Sequence, residues 1–321
     1  MDFSQSQIEE VLALPLLTDK TPEKRLKTLY ALSNHAEEHY HPVTAAKRNG
    51  GRRKILVPDA LLKQVQRQIL HNILEKQPIS RYAKAYHPGA AIRENAAVHL
   101  HQPGILKLDI ENFFPSILFP DVLSSCFSSQ RFSVPMGTLL TNLCCYQGYL
   151  PQGAPTSPAI SNLVLYHFDV WIGQWCGQQH IRYTRYCDDL TFSGDFDAAL
   201  VQGRVEGYLQ TMGFMLNQKK TRWMTAHQQQ MVTGVVVNEK MQVSRAYRRN
   251  LRQEIYYCRK YGVQSQAAYA AGKDAAEIGP GDGKRYLQSL LGKINFVLQI
   301  NPDDAEFQRA EEEVKSWLTA K

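Results

Sequence analysis

At 321 residues, with 44% hydrophobic and 21% charged side chains, the chain can bury a large core in two or three subdomains, which excludes a disordered or fibrous protein. The formal net charge of +7 points to a polyanionic partner; Lys47, Arg48, Arg52, Arg53, Lys54, Lys63 and Arg67 against the single acid Asp59 give residues 47–71 a net +6. No apolar run reaches the ~20 residues of a membrane span, MDFSQSQIEE lacks a basic-then-apolar leader, and six cysteines without a CxxC pair read as reduced thiols, so a soluble cytoplasmic protein that avoids membranes is expected.

Residues 1–40 predict helices: SQSQIEEVLALPLL, then TPEKRLKTLYALSNHAEEHY behind a Thr21 cap and Pro22. KRNGGRRKILVP predicts a turn and a short basic strand. In DALLKQVQRQILHNILEKQ, Leu61, Leu62, Val65, Ile69, Ile73 and Leu74 fall at helical spacing behind an Asp59 cap. HQPGILKLDIENFFPSI predicts a strand that ends in acidic and then aromatic residues. Residues 119–149 predict helix. YLPQGAPTSPAISNLVLYHFDVWIGQW predicts a Gly/Pro loop running into one long apolar helix. RYTRYCDDLTFSG alternates as a hairpin does. VEGYLQTMGFMLNQKKTRWM predicts a helix and a strand, and QQMVTGVVVNEKMQVS another hairpin. The remainder predicts helices interrupted by a loop, GPGDGK, at 279–284. This mixed order argues an α+β fold.

The hairpin at 182–194 carries two adjacent acids, Asp188 and Asp189, at its crest. Aspartate is depleted in strands, and neighbouring carboxylates repel. A third acid, Asp109, closes the strand ILKLD. If that strand lies beside the hairpin, three carboxylates converge and raise one another's pKa unless a cation neutralises them. Mg²⁺ takes such oxygen ligands, and two ions ~3.5–4 Å apart suit phosphoryl transfer. Taken singly, each acid is as well explained as a solvated turn or a strand end.

The order of four motifs decides between these readings. LDIENFF, LPQGAPTSPAISN, YCDD and GFMLNQKKT resemble, in sequence, the motifs A to D of reverse transcriptases. Asn95-Ala96-Ala97-Val98-His99 resembles the NAxxH box of the bacterial retron subgroup, and Val232-Thr233-Gly234 its VTG box. The resemblance runs through residues 45–240.

The resemblance implies a right-hand polymerase fold. Residues 1–100 form N-terminal helices and fingers. Residues 101–241 form a palm, an antiparallel sheet backed by helices, with an interleaved finger segment at 119–149. Residues 242–321 form a helical thumb. Asp109, Asp188 and Asp189, with the carbonyl of Ile110, hold two Mg²⁺ ions. Phe114 excludes a ribose 2′-OH, Gln152 lies against the incoming dNTP, and Arg53 reaches its triphosphate, with Arg52 and Lys54 as competitors. Lys220 is the general acid for pyrophosphate, with Lys219 adjacent. Asn95, His99, Val232, Thr233 and Gly234 bind or shape RNA.

The resemblance also implies partners. These are a cognate structured non-coding RNA, its branched single-stranded DNA product (msDNA) primed from an RNA 2′-OH, dNTPs, an effector or toxin protein restrained in antiphage defence, and a host RNase H. On the residues alone, VSRAYRRNLRQEIYYCRKYG interleaves rings with Arg248, Arg249 and Arg252, which suits RNA; a helix that buries its tyrosines is the alternative. Rival readings are a reverse transcriptase of another bacterial class, a ribonucleoprotein scaffold and a two-metal nuclease. His35-Ala36-Glu37-Glu38-His39 has a zinc-peptidase spacing, but a surface helix is expected there.

Overall fold

The computed structural model describes residues 4–46, 50–274, 277 and 279–319; Lys47 and Arg48 of the basic run lie outside the described residues. The chain forms two compact units, one from 1–90 with 106–223 and the other from 91–105 with 224–321. The NAxxH segment groups with the C-terminal third.

Helix α1 (Gln5–Ala13) starts at a capping box in which Ser4 and Gln7 each accept the other's amide. Helix α2 (Pro22–Asn34) follows. Strands β1 (Tyr40–Ala46) and β2 (Arg52–Pro58) pair antiparallel as a two-stranded ribbon. Only β2 was legible, because YHPVTAA has neither apolar alternation nor a turn signal of its own. Asp59 caps α3 (Ala60–Ile69) by accepting the Leu62 amide at 2.9 Å.

Helix α4 (Ile92–Val98) and strand β3 (Gly104–Asp109) come next, then α5 (Phe119–Cys126) and α6 (Val134–Cys144). The long helix expected after LPQG is two, α7 (Ser157–Val164) and α8 (Tyr166–Gln178), because Leu165 between them sits at ψ 5°. Strands β4 (Arg182–Tyr186) and β5 (Asp189–Gly194) form the hairpin. Helix α9 (Ala198–Thr211) and β6 (Arg222–Thr225) follow, and β4-β5-β3-β6 is the order of the four-stranded sheet.

The second predicted hairpin gains a third strand: β7 (Met231–Val232), β8 (Val235–Val236) and β9 (Gln242–Val243) pair in that order. Helices α10 (Arg245–Tyr261), α11 (Val263–Ala271), α12 (Pro280–Ile300) and α13 (Ala305–Thr319) complete the chain. GPGDGK is therefore mostly the first turn of α12 rather than a loop. Proline suits a first helical position, and the Asp282 carboxylate accepts the Gly279 amide at 3.2 Å.

Each unit has its own apolar core. Leu29, Leu62, Ile69, Leu143, Phe168 and Phe192 belong to the first; Ala96, Val235, Leu251, Ile255, Leu290 and Phe307 belong to the second. Among the described residues no helix is long and apolar enough to cross a membrane.

Candidate active site

The sheet order puts β5 beside β3, so Asp189 at the start of one and Asp109 at the end of the other share an edge. The Ile110 amide donates to the Asp188 carbonyl at 3.1 Å, joining the hairpin crest to the end of β3. On the other side, Asn217 donates to the Asp109 carbonyl and Glu111 to that of Met215, both at 2.8 Å. GFMLNQ is thereby laid along β3, and Lys220 lies three residues after Asn217. Its Nζ lies 2.8 Å from both carboxylate oxygens of Asp109.

Burial, then Asp189 and Asp109, push the Asp188 carboxyl up to about 6, and burial also raises Asp189. Burial opposes the Lys220 charge, but its bond to Asp109 and the charges of Asp109, Asp188 and Asp189 together outweigh that and raise its pKa. Among the described residues no three His, Cys, Asp or Glu side chains are already arranged as a ligand set. The donor chemistry still fits a hard cation: partly buried carboxylates oppose one another's charge, and an ammonium has been drawn to one of them.

The crest is strained. Tyr186 pairs with Asp189, which leaves a two-residue turn. Cys187 has φ +60° while Asp188 has an ordinary negative φ, the pattern of a type II′ turn, where glycine is usual. Beneath it Asp169 and Arg185 form a fully buried ion pair, with Nη2 at 2.6 Å and Nε at 2.9 Å from the carboxylate. Neither residue was singled out from sequence. The available signal was a second arginine within the strand RYTRY, two residues before the turn.

The aromatic pair after Asp109 separates cleanly: Phe113 is buried, and Phe114 is half-buried with its ring 6.4 Å from that of Tyr86. Tyr86 was also missed; its hydroxyl bonds the Cys187 thiol, which burial pushes up to about 11. The Gln152 carbonyl accepts the Leu56 amide of β2 at 2.8 Å. Next to it, Gly153 at φ +131° lies so close that an added Cβ would sit 2.4 Å from the Leu56 oxygen and 2.7 Å from Ile55 Cγ2. By strand alternation Arg53 shares a face with Ile55, while Arg52 and Lys54 take the other. All three are exposed.

In the second unit the two short boxes meet. Thr233 (φ +47°) and Gly234 (φ +86°) are the central residues of the tight turn between Val232 and Val235, as in a type I′ turn. A β-branched residue in that conformation is unusual. Asn95 Nδ2 lies 3.4 Å from its hydroxyl. Asn95, His99 and Val232 are fully buried, and Asn95 Oδ1 has no partner among the described residues. These side chains shape a surface rather than form one.

On α10, Arg248 forms an ion pair with Asp304 at 2.8 Å and Arg252 donates to Glu306 at 2.5 Å. Arg249 is exposed. Tyr256 and Tyr261 are half-exposed, and Tyr257 links their rings at 5.7 and 5.8 Å. The buried stripe is Leu251, Ile255 and Cys258, and Tyr247 packs against that core with its ring 5.8 Å from Phe296, so the tyrosine-in alternative holds for Tyr247 but not for Tyr256 or Tyr261. The zinc-peptidase spacing is not a site: His35 bonds Glu38 at 3.2 Å, whereas His39 turns to Asp59 at 2.6 Å.

Residues 45–244 match the family model described as reverse transcriptase (RNA-dependent DNA polymerase). The chain is 33% identical over 299 residues to the Retron Mx65 reverse transcriptase of Myxococcus xanthus, covering 86% of this chain and 65% of that one. It is 32% identical over 256 residues to the Retron Ec86 reverse transcriptase of Escherichia coli, covering 77% and 80%. Among solved structures, telomerase from Candida albicans aligns at TM-score 0.44 with 10% identity, over 94% of this chain and 69% of that one. A foamy viral protease-reverse transcriptase aligns at 0.44 with 15% identity, over 87% and 43%. With its motifs inside the matched span and its relatives aligned over most of its length, the chain belongs to the reverse transcriptase family, and within that family to the retron reverse transcriptases.

Proposed function

We propose that the protein is a retron-type RNA-directed DNA polymerase that extends DNA from an RNA 2′-OH on a cognate structured RNA, in a cytoplasmic complex that takes part in antiphage defence. The observation that carries this reading is the convergence of Asp109, Asp188, Asp189 and Lys220 on one sheet edge. Asp109, Asp188 and Asp189, with the Ile110 carbonyl, would hold two Mg²⁺ ions, which when bound supply charge neutralisation at the attacking and leaving oxygens.

The chain's own groups do the rest. Lys220, released from Asp109, carries a proton to the pyrophosphate oxygen. Arg53 reaches the triphosphate with a fork that matches phosphate geometry. Phe114 presents a ring edge to the sugar, and Gln152 sets the base side. Residues 1–100 then serve as fingers, 101–241 as palm and 242–321 as thumb. Asn95, His99 and the Val232–Gly234 turn shape the RNA surface, and the exposed Arg249 and the tyrosine row touch RNA. Arg248 and Arg252 contribute by exchanging their carboxylates for phosphates.

The test is to isolate nucleic acid that co-purifies with the protein expressed from its own locus, treat it with RNase and then with debranching enzyme, and run a denaturing gel. A short DNA whose mobility shifts on debranching is the expected result. DNA without a branch would remove the 2′-priming claim, and RNA without DNA would remove the polymerase reading in favour of a scaffold. Changing Asp188 and Asp189 to Asn should abolish DNA and defence while RNA stays bound; surviving defence would separate it from synthesis.

A further inference from the structure

The buried pair beneath the hairpin raises a physical question. Asp169 on α8 and Arg185 on β4 are both fully buried. Two ions removed from water are costly, and an apolar pair of similar volume is often as stable or more so. Stability alone therefore gives little reason for an arginine there. Its geometry suggests another.

Every arm of Arg185 is used. Nε and Nη2 take the two oxygens of Asp169, and Nη1 donates to the carbonyl of Cys187 at 3.1 Å. Asp169 is itself fixed by the Tyr183 hydroxyl at 2.8 Å. The Arg185 backbone is held too: its amide donates to Tyr82 at 2.8 Å, and its carbonyl accepts from Lys84 at 2.7 Å. A planar fork with both ends anchored transmits position, which a rotating ammonium or an apolar chain does not.

What it reaches is the strained residue. Cys187 keeps φ +60° although it is not glycine, in the turn that presents Asp188 and Asp189. Such a conformation is costly for a residue other than glycine and persists only where the surroundings over-determine it. The bond from Nη1 to the Cys187 carbonyl is one such determinant. We infer that Asp169 and Arg185 are positioning residues for catalysis, and that through the Cys187 carbonyl they hold the YCDD turn in the conformation that aims both carboxylates. This rests on the reading of that turn as the catalytic one.

The test replaces the pair with apolar residues, Asp169→Leu with Arg185→Met, in the full-length protein bound to its RNA. Melting temperature, template affinity, kcat and the Mg²⁺ concentration for half-maximal rate are measured. The expected result is a melting temperature and template affinity close to wild type, with kcat lower by about 10²-fold, as a misplacement of about an ångström produces, and a higher Mg²⁺ requirement. Adding Cys187→Gly, which adopts positive φ unaided, should recover much of the loss. Arg185→Lys keeps the charge opposite Asp169 but not the second arm, so it should fold and show the same defect.

A double variant as active as wild type at the same Mg²⁺ would overturn the inference. So would a loss that Cys187→Gly leaves untouched, since that is the mark of a general packing role. Should the double variant not fold, the same measurements on Arg185→Lys, with and without Cys187→Gly, decide. An inactive wild type would instead count against the polymerase reading.

Discussion

The Leu56 amide on β2 donates to the Gln152 carbonyl at 2.8 Å, so the basic ribbon and the LPQG loop are tied at the backbone. Gly153 makes the approach possible, because a Cβ there would meet the Leu56 oxygen at 2.4 Å and its φ is +131°. Gly153→Ala should cost about 2–4 kcal/mol through overlap and backbone strain and raise the KM for dNTP. Gly203→Ala, where nothing lies within 4 Å, is the control. Thermal melts and steady-state kinetics on both variants check this; equal behaviour would disconnect the ribbon from nucleotide binding.

Asp188 sits at about 6 in the folded chain because of burial and its acidic neighbours, against about 3.9 in an unfolded one. The folded state therefore holds a proton that the unfolded state has released. The resulting stability is full below about pH 4 and is lost as pH rises through about 6, on the order of 2–3 kcal/mol. In EDTA, Asp188→Asn should melt above wild type at pH 7.5, and the gap should close near pH 4. Added Mg²⁺ should stabilise wild type more than the variant. Melts from pH 4 to 8 with parallel curves would refute the crowding.

Lys220 reaches Asp109, while Lys219 is exposed and points to no carboxylate of the site among the described contacts. Lys220→Ala should lower single-turnover incorporation by about 10²–10³-fold, the range for a lost general acid. Lys219→Ala should change it by less than about threefold on the same scale. Rapid-quench measurements separate the two. Equal losses would return the assignment to the ambiguity present in NQKKT.

Asn95 and Thr233 join segments far apart in sequence within the second unit. Asn95→Ala should reduce synthesis from the cognate RNA by at least about tenfold, since a lost buried partner is worth about 1–3 kcal/mol. Extension of an added DNA primer on a generic template should be nearly unchanged. Running both assays on one preparation tests this, and a parallel fall in the two would make Asn95 a general stability residue.

The parts of the site legible in the sequence are those whose chemistry is unusual in its local setting. Asp188-Asp189 break a strand pattern, and Asp109 ends one. Arg52, Arg53 and Lys54 are alike in residue type and all exposed, and alternation along β2 puts only Arg53 on the face of Ile55. Asp169–Arg185 was hidden because an aspartate in a helix and an arginine in a strand are ordinary residues until both prove to be buried and facing. Tyr86 was hidden because its positive φ and its bond to Cys187 are tertiary facts. The break at Leu165 carries no proline or glycine to announce it, whereas the start of α12 at Pro280 was announced and then read as a loop.

Residues 91–105 pack with 224–321 rather than with their neighbours in sequence. On a ribosome this fixes an order of events. Asp109, the YCDD hairpin and Lys220 are all made before β7, β8 and helices α10 to α13 exist. Through that interval Asn95, Ala96 and His99 have been synthesised but the strands that cover them have not. The nascent chain thus completes the unit that holds the three clustered aspartates first, and closes the unit holding the NAxxH and VTG boxes only when the last third has emerged.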